Sequence, residues 1–115
     1  MSKSPGRWRH LQTPPEVAAL GDLLGRRWAL HVVWELRSGP LTFRALQAAC
    51  GHISPSVLQA RLHEWLELGV IEKIPRLGYR LSAAGEQLYL QLEPLCDWAV
   101  VQDSLAKTNQ KSLYK

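Results

Sequence analysis

A chain of 115 residues, 46% of them hydrophobic, suffices for one domain with a modest core and excludes wholesale disorder. No apolar run approaches the roughly 18–20 residues of a membrane span, and the polar N-terminus lacks the apolar centre of a signal peptide, so the expected compartment is the cytoplasm. The net charge of +4 lies in the N-terminal half, with seven Lys/Arg against three Asp/Glu in residues 1–50 and seven against seven in residues 51–115.

Residues 1–14 read as a basic arm, rich in Ser, Pro and Gly, with Lys3, Arg7 and Arg9 ahead of any acid. Such an arm suits a polyanion through phosphate neutralisation. Trp8 within it is expected to pack on the domain or on a second subunit. Over residues 15–24 the spacing of Val17, Leu20 and Leu24 predicts a short helix, which Gly25 breaks. A stronger helix is predicted over residues 26–38. Trp28, Val32, Val33 and Leu36 form its apolar face, Leu30 and Trp34 widen that face, and Ser38-Gly39-Pro40 stops it.

Residues 41–69 then read as two helices joined by a tight turn at Gly51-His52-Ile53. Thr42 and Ser54 can each cap a helix with a side-chain oxygen, and Pro55 occupies a first helical position, where its missing N–H costs nothing. Gly69 offers a left-handed stop. A short helix, a Gly-containing turn and a longer capped helix make a helix-turn-helix candidate. At 100° per residue, Leu58, Leu62, Trp65 and Leu66 share the inner face of the second helix, and Ser56, Ala60, His63 and Glu67 the outer one, with Gln59 and Glu64 on its shoulders. Small polar residues at the start of that outer face suit entry into a DNA major groove. The plainer reading of the same pattern is a solvated amphipathic helix.

After Gly69 the period changes from 3.6 to 2. Residues 70–74 and 79–81 alternate like half-buried strands around the turn Pro75-Arg76-Leu77-Gly78. The hairpin sits where a wing belongs, its tip carrying Arg76 between Lys73 and Arg80, within reach of a phosphate or the minor groove. Ser82 caps a last helix, in which Leu88, Leu92, Leu95 and Trp98 form a stripe broadened by Tyr89, Cys96, Ala99 and Val100. Pro94 predicts a kink or restart, and residues 104–115 read as a polar, fraying tail. The organisation expected is a basic arm (1–14), a mostly α, α+β winged helix-turn-helix domain with a two-stranded wing and terminal dimerisation helices (15–103), and the tail. The surplus apolar surface points to two-fold self-association, with Trp8, Leu20, Trp34, Leu92, Leu95 and Trp98 as its expected interface.

These segments together resemble the HxlR family of bacterial winged-helix regulators, which stands near the MarR group. The resemblance covers residues about 17 to 99. It runs through Asp22-Leu23-Leu24-Gly25-Arg26-Arg27-Trp28, Gly39-Pro40-Leu41-Thr42-Phe43, Ile53-Ser54-Pro55, Leu68-Gly69-Val70-Ile71-Glu72 and Tyr79-Arg80-Leu81-Ser82, closing at Leu95-Cys96-Asp97-Trp98. It implies a non-enzymatic homodimer on double-stranded DNA, with one recognition helix per half-site of a palindromic operator. Redox-sensing members carry a cysteine just before the first helix. Here that region is Thr13-Pro14-Pro15-Glu16 and no cysteine precedes Cys50, so the thiol switch does not carry over. The wing is shorter than is usual in the family, and Ser56 stands where a basic residue is common.

The expected DNA contacts are Arg44, Ser54, Ser56, Gln59, Arg61, His63, Lys73, Arg76 and Arg80. Gln59 leads the base-edge candidates because an amide pairs bidentately with adenine. Arg44 suits the backbone. Arg61 can either reach a phosphate or pair with an acid such as Glu64 or Glu35. Cys50, His52 and His63 do not have zinc spacing, Cys96 suits core packing, and no nucleophile elbow appears. No cofactor, metal or enzymatic activity is expected. An unidentified small-molecule effector, lined by Trp28, Trp34 or Trp98, is a further possibility. The rival to a DNA-binding regulator is a winged-helix protein–protein module without operator binding.

Overall fold

A computed structural model describes residues 12–109. Helix α1 (Pro15–Leu24) leads through a sharp elbow into α2 (Ala29–Glu35), which tightens into a 3₁₀ turn at Leu36–Ser38. Helices α3 (Phe43–Ala49) and α4 (Pro55–Glu67) follow, then strands β1 (Ile71–Ile74) and β2 (Gly78–Leu81), and finally α5 (Ala83–Asn109). This is a mostly helical winged helix-turn-helix fold. Trp8 lies outside the described residues.

Local chemistry sets the boundaries. Thr42 Oγ1 accepts from the Ala45 amide at 3.1 Å and Ser54 Oγ from the Val57 amide at 3.2 Å, each satisfying a donor that a helix start leaves orphaned. Between them Gly51 and His52 both take left-handed φ, at 76° and 60°. The turn is held from inside by Gln47, whose amide nitrogen donates to the Ile53 carbonyl at 2.9 Å.

Two boundaries differ from the expected ones. Helix α2 begins at Ala29 rather than Arg26, because Trp28 takes a left-handed φ of 76° and turns the chain between α1 and α2. Helix α5 passes Pro94 without a restart and continues through residues 104–109 of the expected tail. Local pairs support that last stretch: Lys107 bonds Asp103 at 2.9 Å one turn earlier, and the Thr108 hydroxyl donates to the Ser104 carbonyl at 2.9 Å.

The hairpin is antiparallel, with Ile71 opposite Leu81 and Lys73 opposite Tyr79. Leu41, just before α3, joins its edge by exchanging both backbone bonds with Tyr79, at 2.9 and 2.8 Å. The wing is thereby tied to the entrance of the helix-turn-helix. The fit leaves no room at Gly78: a Cβ there would lie 2.2 Å from the Leu41 carbonyl oxygen. The core gathers Val32, Val33 and Leu36 of α2, Leu46 of α3, Leu58, Leu62 and Trp65 of α4, Ile71 and Leu81 of the wing, and Leu92 of α5. Trp65 is the largest fully buried side chain among the described residues, and its indole N–H donates to the Ala29 carbonyl at 2.9 Å, so no polar atom of it is stranded.

A candidate nucleic-acid interface on helix α4

Burying Leu58, Leu62 and Trp65 fixes how α4 is turned, and its opposite side faces outward. Ser56, Gln59, His63 and Glu67 are exposed there, and Ala60 is half-buried. The ridge is flanked by two shallow concavities that share Gln59 and His63. One is completed by Phe43 of α3 with Pro55, Ser56 and Ala60. The other is completed by Leu62 and Leu66 with Lys73 and Tyr79 of the wing. Helix α4 is thus the centre of a continuous surface running from the start of α3 to the hairpin.

The cations sort into three situations. Arg44 on α3, Lys73 on β1 and Arg76 at the wing tip are exposed. Lys73 is held at the α4 side of the wing by the Tyr79 ring, 5.9 Å from its ammonium. Arg76 takes a left-handed φ of 69°, placing it on the outermost bend of the hairpin. Arg80 also lies on the surface, but its Nε bonds the Glu72 carboxylate across the strand pair at 2.7 Å.

Arg61 lies against the acid that was one of its two expected partners. It is 17% exposed, with its Nε 3.1 Å from Glu64 and a terminal nitrogen 3.4 Å from the Arg27 carbonyl oxygen. Glu64 is also bound by Arg26, so one carboxylate of α4 holds two arginines and ties the helix to the α1–α2 elbow. This clamp escapes sequence reasoning because Arg26 and Glu64 are 38 residues apart. Ser54 and Ser56 lie with their hydroxyls 3.4 Å apart at the start of α4, and the Ser54 hydroxyl is already occupied as the cap. Phe43 was not among the expected contacts; it adjoins the Thr42 cap and so opens the helix that faces α4.

The expected interface residues also separate. Leu92 is only 5% exposed and belongs to the subunit's own core, so that assignment is corrected. Leu20, Leu95 and Trp98 are exposed, the last at 60%, in company with Val17, Val101 and Leu105. Trp34 is half-buried, with the Arg37 guanidinium over its ring at 4.4 Å. It lines a small apolar concavity with Leu30, His31, Cys96 and Val100. Trp28 instead packs edge-on to His31 at 4.7 Å. Cys50 is buried, and that burial, seconded by the charge of Glu35, pushes its thiol above the ordinary range.

A capped helix-turn-helix whose second helix keeps a polar face free beside a basic hairpin is the architecture of a winged-helix DNA-binding protein. The chain belongs to the HxlR-like helix-turn-helix family, whose profile matches residues 23–106, and is a DNA-binding transcriptional regulator of that family. It is 36% identical over 85 residues to the HTH-type transcriptional regulator YvaP of Bacillus subtilis, covering 68% of this chain and 78% of the relative. It is 26% identical over 107 residues to the regulator BH0655 of Halalkalibacterium halodurans, covering 87% and 94%. Among solved structures, quinone-bound YodB from B. subtilis superposes with a TM-score of 0.69 at 26% identity, over 76% of this chain and 97% of the other. A possible HxlR family transcriptional factor from Thermoplasma volcanium, at 22% identity, shares the fold with a TM-score of 0.70 over 82% and 89%.

Proposed function

We propose that the protein acts as a homodimer that binds a palindromic operator, with one α4 helix in the major groove of each half-site. The observation that carries this reading is the exposed row Ser56, Gln59 and His63 on a helix whose other side is locked into the core. Gln59 is the leading base-edge contact, because its amide can both donate to and accept from adenine. His63 and Ser56 flank it. Arg44, Lys73 and Arg76 serve as phosphate contacts, with Ser54 acting mainly as the helix cap. Arg61 and Arg80 contribute through their carboxylate partners rather than as free charges.

The dimer is supported by the outer half of α5, where Leu95, Trp98, Val101 and Leu105 are all at least half exposed. Their spacing forms a stripe along one side of the helix, which a two-fold partner would cover with its own copy. Half-sites read by such a dimer lie about 10 bp apart, or a multiple of that.

Titrating the protein against a labelled operator at several salt concentrations tests the reading. Log affinity should fall linearly with log salt, since each neutralised phosphate releases counterions. A protein that ignores duplexes of every sequence in dilute buffer would instead be a protein–protein module.

A further inference from the structure

We infer that the concavity between α3 and α4 is a seat for the 5-methyl group of a thymine, read beside the base pair that Gln59 contacts. Its lining is divided in a way that a polar base edge does not need. Phe43, Pro55 and Ala60 supply carbon surface, whereas Ser56, Gln59 and His63 bring the polar groups. Pro55 and Gln59 are one helical turn apart, and so are Ser56 and Ala60, so two adjacent stripes of α4 pair an apolar group with a polar one. The ring of Phe43 closes the apolar side from α3.

In the major groove the thymine methyl is the one apolar group that a base pair presents. A cytosine amino group set against Phe43, Pro55 and Ala60 would lose water without gaining a partner there. The seat therefore discriminates by desolvation against its carbon surface, while Gln59 discriminates by hydrogen bonds. The inference rests on the reading of α4 as the base-reading helix, and adds to it a second specificity element, the carbon surface that Phe43 of α3 completes with Pro55 and Ala60.

The test uses the full chain and an operator selected from random DNA. Each thymine is replaced singly by deoxyuridine, which keeps the base pairing and removes only the methyl, and affinity is read by fluorescence anisotropy at one salt concentration. At one thymine per half-site, next to the pair whose identity Gln59 sets, affinity should fall about fourfold, the effect of burying one carbon group. Replacing it in both half-sites should lower affinity by about fifteenfold. Ala60→Ser or Pro55→Ala, both at positions that keep α4 intact, should shrink that penalty to less than about twofold. Phe43→Leu should reduce it in part.

If every deoxyuridine operator binds as well as its parent, the inference is overturned while the base-reading role of α4 stands. A penalty that persists unchanged in all three variants places the methyl elsewhere and equally overturns it. Failure to select any sequence at all would remove the reading on which it depends.

Discussion

Trp65 reaches 36 residues back along the chain to the carbonyl of Ala29. Its place on the inner face of α4 follows from periodicity, because Leu58, Leu62 and Trp65 recur at helical spacing. Its partner does not follow, since nothing in the sequence marks which backbone carbonyl of α2 will lie against the indole. Trp65→Phe keeps much of the apolar volume but loses the indole bond and leaves part of its space unfilled, so stability should fall by about 1–3 kcal/mol, read as a lower urea midpoint with an unchanged slope. Arg61 makes the same point. Its resemblance to a family arginine leaves phosphate and carboxylate both open, and the folded chain sets it beside Glu64 and the distant elbow. Arg61→Ala should therefore leave the slope of log affinity against log salt unchanged, whereas Arg76→Ala should flatten it by about one unit. Equal slopes for all three proteins would remove Arg76 from the phosphate contacts. Cys50 offers a chemical check: buried and held as a thiol, it should resist alkylation in the native protein while the half-buried Cys96 reacts first.

At the level of elements, caps were the clearest part of the sequence. Thr42, Ser54 and Ser82 each take a cap bond, and the motif helices begin where those residues place them. The change of period after Gly69 located the hairpin for the same reason, because a strand with one buried face must alternate. What was hidden is the third partner of the wing. Leu41 read as an apolar residue before a cap, yet its backbone closes the sheet edge against Tyr79. Gly78 carries the consequence, with a φ of 101° and the Leu41 and Thr42 backbones packed over its missing side chain. Gly78→Ala should cost about 2 kcal/mol or more and detach the wing from α3, seen as faster hydrogen exchange at Leu41 and Tyr79. Polar composition past Asp103 reads as a tail, yet the pair of Asp103 and Lys107 helps continue the helix to Asn109.

For the whole molecule, the division of α5 is what matters. Leu92 closes the subunit core, and a few residues later Leu95 and Trp98 stand in the open. Composition showed that the helix had more apolar surface than one small domain uses; only the packing shows where the inner share stops. With that outer stripe as the dimer contact, Trp98→Glu should halve the mass seen by sedimentation at micromolar concentration and weaken operator binding, while α4 itself is untouched. A dimer that persists would place the interface elsewhere. The most direct measurement of the central claim is a parallel selection from random DNA with the native protein and with Gln59→Ala. A base-reading α4 in a two-fold dimer predicts a palindromic motif for the native protein, and loss of preference at one symmetric pair of positions in the variant. The same motif recovered from both proteins would contradict it.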